Sequence, residues 1–94
     1  MLFMVLEKFS PGNAEEIYRR VRENGRTLPE GLTYVDSWVH ADMRGSFQLM
    51  ECDDAVLLQE WIVGWGNLID FIIVPVASSR TTAEMMARLA APPA

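Results

Sequence analysis

The sequence predicts an α+β domain with one four-stranded antiparallel sheet and two helices packed on one face of it. Three features support this prediction: two compact apolar runs near the ends of the chain, two stretches with helical periodicity, and a hairpin between those stretches. The chain has 94 residues, of which 50% are hydrophobic, so it makes one domain with ample material for a core.

The first strand and the first helix follow each other directly. Residues 2–9 form an apolar run that ends at a Ser-Pro-Gly sequence, which predicts a buried strand. Asn13 is then a candidate N-cap with Glu16 as its capping-box partner. Gly25 predicts the end of the helix. The helix would be amphipathic, because apolar side chains recur at helical spacing: Ala14, Ile17, Val21 and Leu28.

A β-hairpin is predicted over residues 31–53, with its turn at residues 42–45. The favoured register pairs Trp38 with Gln48, since a one-residue slip would place Asp36 opposite Glu51. In this register an apolar face packs against the helices, formed by Val35, Val39, Phe47 and Leu49. The other face mixes aromatic, polar and apolar side chains: Tyr34, Asp36, Trp38, His40, Gln48 and Met50.

A second helix, a last strand and a terminal helix complete the chain. Asp53 or Asp54 is expected to cap the second helix, which has helical spacing of apolar residues at Leu58, Trp61, Ile62 and Trp65. Residues 69–76 form a strand rich in β-branched residues, and Pro75 indicates an edge position. Thr81 and Glu84 have capping-box spacing before a short helix. Two prolines close the chain, Pro92 and Pro93.

The order strand, helix, strand, strand, helix, strand predicts a ferredoxin-like βαββαβ fold. Right-handed crossovers generate an antiparallel sheet of order 4-1-3-2, with both main helices on one face. We expect residues 1–78 to form this unit, and residues 79–94 to form an added helix and tail. The uncovered sheet face would expose a large apolar patch, which predicts that a second copy of the chain covers it.

Charge and composition limit the possible partners and location. The net charge of −5 argues against non-specific binding to nucleic acid. No apolar run approaches the ~20 residues of a membrane span, and the N-terminus lacks the basic flank of a signal peptide. Cys52 is the only cysteine, which fits a reducing cytoplasm. One histidine and one cysteine do not make a zinc site, and neither a metal nor another cofactor is expected.

Four segments carry a resemblance to a small bacterial family of unknown function: LFMVLEKF-PGNAE, GLTYVDSW, FQLMECDD and LLQEWI-GWGNLIDF. The similarity spans roughly residues 1–78. The chain is also similar to the dimeric α/β-barrel superfamily, whose ferredoxin-like subunits pair sheet to sheet. The resemblance implies this architecture and a homodimer, but it assigns no catalytic residues.

The mixed hairpin face is the predicted ligand cleft, and it allows three functions. The first is binding of a small, partly hydrophobic molecule, for which Trp38 and Tyr34 are equally suited as stacking walls or as interface residues. The second is a cofactor-independent monooxygenase or isomerase that uses His40, Asp36 and Tyr34 for proton transfer. The third is a structural or regulatory dimer. Glu7 and Glu51 are further cleft carboxylates, or simply strand-end residues in contact with solvent.

Overall fold

The structure, a computed structural model, describes residues 1–92. It contains the predicted elements in the predicted order, with a short 3₁₀ turn at Gly66–Leu68 before the last strand. Pro93 and Ala94, which belong to the predicted tail, lie outside the described residues. The strands are β1 (Leu2–Phe9), β2 (Thr33–Val39), β3 (Gly45–Glu51) and β4 (Ile69–Val76), and the helices are α1 (Ala14–Asn24), α2 (Val56–Trp65) and α3 (Ser79–Ala90).

The four strands form one antiparallel sheet of order β2-β3-β1-β4. Read from the other edge this is the predicted order 4-1-3-2, so the ferredoxin-like arrangement is confirmed. Strand β4 lies at an edge of the sheet. Pro75 is tolerated there because no strand on the outer side requires the N–H that proline lacks.

The core lies between the sheet and helices α1 and α2. Its buried hydrophobic residues come mainly from β1 and α2, and α1, β3 and β4 contribute one each: Ile17, Met50 and Ile69. Trp61 and Trp65 are 4% and 7% exposed, which confirms that they belong to the core. Cys52 is a free thiol, and it is buried in the same cluster.

The register of the hairpin differs from the predicted one by one residue. Trp38 lies opposite Phe47, and Asp36 lies opposite Leu49. Beyond Asp36 the register shifts, so that Tyr34 faces Met50 and Val35 is the extra residue of a β-bulge. A bulge interrupts the alternation of side chains between the two faces of a strand. Tyr34 and Asp36 therefore lie on opposite faces, although they are two residues apart.

The helix ends agree only partly with the predicted caps. Asn13 is at the N-cap of α1, but its side chain makes no capping hydrogen bond, and Gly25 ends the helix with φ 67°. Helix α3 begins two residues earlier than Thr81, because Ser78 is the cap and its hydroxyl accepts a hydrogen bond from Thr81 N. Within residues 1–92, none of the helices has the length and apolar character that crossing a membrane requires.

Among the described residues, no helix covers the second face of the sheet, which is largely apolar. We call it the open face. Its members follow from the strand pairing: Leu2, Met4, Leu6 and Lys8 on β1, Thr33, Asp36 and Trp38 on β2, Phe47, Leu49 and Glu51 on β3, and Asp70, Ile72, Val74 and Val76 on β4. The prediction that Phe47 and Leu49 pack against the helices is therefore wrong. Ile72 is 63% exposed and Trp38 is 51% exposed, so this face is accessible in the isolated chain.

Candidate functional site

The six predicted cleft residues divide between the two faces of the sheet. Asp36, Trp38 and His40 lie on the side of the open face, as predicted. The other three lie on the helix side, because of the bulge and the shifted register: Tyr34, Gln48 and Met50. Met50 is fully buried in the core, and Gln48 is 7% exposed.

His40 borders a shallow groove on the open face. The groove has a volume of about 210 Å³, and its walls include Leu6, Phe47 and Ile72. The His40 ring lies 4.9 Å from the Phe47 ring, and its Nε2 atom is buried without a hydrogen-bond partner. Asp36 does not approach this group: its Oδ1 atom accepts a hydrogen bond from the backbone N–H of Ser37 at 2.8 Å. A catalytic His40–Asp36 pair is therefore not formed within the chain.

A second cavity lies inside the subunit, between the sheet and helices α1 and α2. We call it the inner cavity. Its volume is about 110 Å³. The walls combine apolar side chains with a small polar group. The apolar ones are Phe9, Ile17, Val21, Val39, Trp61 and Ile69; the polar and amphipathic ones are Glu7, Tyr18, Arg26, Ser37, Ser46, Gln48 and Trp65.

Glu7 is the most unusual residue of the inner cavity. It lies on the buried side of β1, directly opposite Ser46 of β3 and Phe71 of β4, and it is 8% exposed. Burial raises the pKa of Glu7 from 4.5 to about 7, although the Ser46 hydroxyl and the Arg26 charge oppose the increase. Glu7 is thus able to exchange a proton near neutral pH, which is the property required of a general acid or base.

The polar wall of the inner cavity has unused hydrogen-bonding capacity. Among residues 1–92, the buried side-chain atoms without a partner are Glu7 Oε1, Arg26 Nε, Trp65 Nε1 and His40 Nε2. The first three belong to residues that line the inner cavity. Buried polar groups are almost always hydrogen-bonded, so three residues that line one cavity and carry an unpartnered buried atom indicate a place for polar ligand atoms.

The loop after α1 holds Arg26 against the cavity. The Arg26 carbonyl accepts hydrogen bonds from Trp61 Nε1 at 3.1 Å and from Thr27 Oγ1 at 2.7 Å. Its guanidinium lies 3.7 Å from the centre of the Tyr34 ring, and the Tyr34 hydroxyl is 2.6 Å from Ser37 Oγ. Thr27 has φ 55°, an unfavourable conformation for a β-branched residue. Backbone strain of this kind is typical of functional sites.

Of the six predicted cleft residues, Gln48 is the one that lines the inner cavity. The sequence does predict Glu7 as a possible cleft carboxylate, and the signal is a carboxylate inside an apolar strand. Arg26 and Trp65 were not predicted, because in the sequence they belong to a solvated basic segment and to an apolar helix. Among residues 1–92, no group of three or more His, Cys, Asp or Glu side chains is arranged to hold a metal ion.

The fold and the inner cavity define a class: a ferredoxin-like α+β domain with an acidic residue buried between sheet and helices. The chain belongs to the family described as "Domain of unknown function (DUF3303)", whose sequence model matches residues 1–90. The match extends past the predicted boundary at residue 78 and includes α3. Neither a curated protein nor a solved structure matches the chain.

Proposed function

We propose that this chain is one subunit of a homodimer that binds a small, partly hydrophobic molecule, and that the ligand occupies the inner cavity. The observation that supports binding is the set of three unpartnered buried atoms on Glu7, Arg26 and Trp65 around one cavity. Apolar walls with a few polar groups that fix orientation are typical of ligand sites.

The size of the cavity limits the ligand. A cavity of about 150 Å³ in another protein accommodates benzene, so a cavity of about 110 Å³ is too small to enclose a six-membered ring completely, and part of such a ligand would lie at the exposed rim beside Val39. The ligand would place its hydrocarbon part against Ile17, Val21 and Ile69, and its polar group against Glu7. Gln48 is a further contact, because its amide nitrogen donates only to the Met50 sulfur, a weak acceptor.

Closing the rim of the inner cavity should abolish binding. Val39 lines the cavity and is 45% exposed, so Val39→Phe adds volume at the rim without overpacking the core. The wild type is titrated with phenol and with cyclohexanone, and we expect a saturable change in the fluorescence of Trp61 and Trp65. Val39→Phe should show no saturable change with either compound.

The matched control is Val35→Phe. Val35 lies on the same strand and is 47% exposed, but it does not line the inner cavity. This variant should bind both probes as the wild type does. Equal binding by all three proteins would place the ligand elsewhere, and no saturable binding by the wild type would favour a structural or regulatory dimer.

The homodimer is proposed on the open face. Its centre is apolar, whereas its margins carry charges of both signs on Lys8, Asp36, Glu51 and Asp70. An apolar centre with a polar rim is the usual anatomy of an interface, and mixed charges allow the same patch to face itself across a two-fold axis.

A charge placed on the open face should dissociate the dimer. Ile72→Asp would bury a carboxylate of each subunit in the apolar part of the interface, which costs several kcal/mol and raises the dissociation constant about a hundredfold or more. Light scattering should give twice the mass of one chain for the wild type and a single-chain mass for this variant. Val63→Asp is the control, because Val63 is 78% exposed but lies on α2. If the wild type still has the mass of a single chain at about 100 μM, the highest concentration tested, the proposed dimer is refuted.

A further inference from the structure

The three unpartnered atoms of the inner cavity have complementary chemical roles. Glu7 Oε1 can accept or hold a proton, whereas Arg26 Nε and Trp65 Nε1 are N–H donors without acceptors. A ligand that satisfies all three must present a proton-bearing atom to Glu7 and an acceptor oxygen to the two donors. An aliphatic ketone with a hydrogen on the neighbouring carbon has both features, and its hydrocarbon part suits the apolar walls.

We propose that Glu7 is a general base that removes and returns a proton on the carbon next to the carbonyl group of a small ketone bound in the inner cavity. The inference rests on the proposed binding function and adds a reaction to it. The C–H bond breaks, its proton moves to a Glu7 carboxylate oxygen, and its electron pair forms the C=C bond of an enolate. The carbonyl π pair moves to oxygen, where the Arg26 and Trp65 N–H groups stabilise the new charge.

Return of the proton completes a reaction that needs no oxidant, reductant or metal. If the proton returns to the same carbon, hydrogen exchanges with solvent. If it returns to the far end of a conjugated system, a β,γ-unsaturated ketone becomes its α,β-unsaturated isomer. The reaction class is therefore enolisation or double-bond isomerisation.

The electrostatics of the cavity suit a base at neutral pH. The charged or titratable side chains that line it with Glu7 are Arg26, from the loop after α1, and Tyr18, from α1. The cavity walls contributed by α2, β2, β3 and β4 carry no further titratable group. Because the pKa of Glu7 is raised to about 7, its carboxylate is a stronger base than that of an exposed glutamate.

Deuterium exchange tests the proposal without knowledge of the natural substrate. Cyclopentanone and cyclohexanone are incubated in D₂O with the full chain, and loss of the α-hydrogen signal is followed by proton NMR. We expect exchange well above the buffer rate with the wild type, and a reduction of about a hundredfold or more with Glu7→Gln. Glu60→Gln, which removes an exposed carboxylate of α2 that does not line the inner cavity, should exchange as the wild type does.

The outcomes separate the reaction from binding. Saturable binding of the ketones without Glu7-dependent exchange would overturn the reaction and leave the binding function intact. Failure of both ketones to bind, while phenol binds in a Val39-dependent manner, would overturn the ketone substrate. Failure of every probe to bind would overturn the proposed function as well.

The pH profile distinguishes a base from a structural carboxylate. Exchange should rise with pH through about 7 and then level off, because the carboxylate form of Glu7 is the reactive one. The Ser46 hydroxyl lowers the pKa of Glu7, so Ser46→Ala should move the midpoint to higher pH. An unchanged midpoint in a folded Ser46→Ala protein that still exchanges would show that another group is the base.

Discussion

Replacing Glu7 with glutamine is expected to stabilise the fold by about 3 kcal/mol at pH 8, and by less than about 1 kcal/mol at pH 5. Glutamine has nearly the shape of a protonated glutamate, so it keeps the packing and removes the ionisation. The effect arises because the carboxylate is buried between the sheet and the helices, where its charged form is disfavoured.

The direction of the pH effect follows from the two pKa values of Glu7. In the folded chain the pKa is about 7, and 4.5 is the value for the unfolded chain. Below pH 4.5 Glu7 is protonated in both states, and its burial does not reduce the free energy of unfolding. Between 4.5 and 7 the unfolded chain releases its proton and the folded chain keeps it, so stability falls by about 1.4 kcal/mol per pH unit. Above 7 the loss is complete.

Urea unfolding between pH 5 and pH 8, followed by tryptophan fluorescence, measures this difference. Protein concentration must be held constant, because dissociation of a dimer contributes to the free energy of unfolding. Glu60→Gln, which removes an exposed carboxylate of α2, should change that free energy by less than about 0.5 kcal/mol. Parallel pH profiles for the wild type and Glu7→Gln would contradict the raised pKa of Glu7.

Shortening Met50 to alanine should destabilise the fold by about 2–5 kcal/mol. Met50 has no exposed surface and lies opposite Phe3 of β1 and Tyr34 of β2 on the helix side of the sheet. Removing its side chain loses apolar burial and leaves a void that a packed sheet cannot close. The variant should unfold at lower urea concentration or lower temperature than the wild type.

Met86→Ala is the matched control, since it makes the same change on α3 at a position that is 59% exposed. Its effect on the free energy of unfolding should stay within about 0.5 kcal/mol. A cost below about 1 kcal/mol for Met50→Ala, together with loss of ligand binding, would place Met50 in an open cleft and contradict the structure.

The element order and the sheet topology could be predicted because they depend on local patterns. Apolar runs with β-branched residues predict strands, 3.6-residue periodicity predicts helices, and glycines such as Gly25 end them. The handedness of crossover connections then allows few arrangements, and the observed sheet is the predicted one. The core role of Trp61 and Trp65 followed from the same periodicity.

Neither the register of the hairpin nor the bulge at Val35 could be predicted, because neither leaves a clear signal in the sequence. Charge repulsion between Asp36 and Glu51 excluded one slip, but the observed pairing is shifted in the opposite direction. The bulge places Tyr34 on the face opposite that of Asp36, and the shifted pairing of the strands turns Gln48 and Met50 to the other face of the sheet. Tyr34, Gln48 and Met50 therefore lie on the helix side, and the predicted cleft is divided.

The candidate site itself depends on contacts between distant parts of the chain. Glu7, Arg26 and Trp65 lie on a strand, a loop and a helix, and they line one cavity only after the helices pack on the sheet. Local patterns determine which segments are strands and helices, because hydrophobic periodicity acts over a few residues. Burial of a carboxylate and the rise of its pKa are decided by packing, because desolvation depends on every element that surrounds the group.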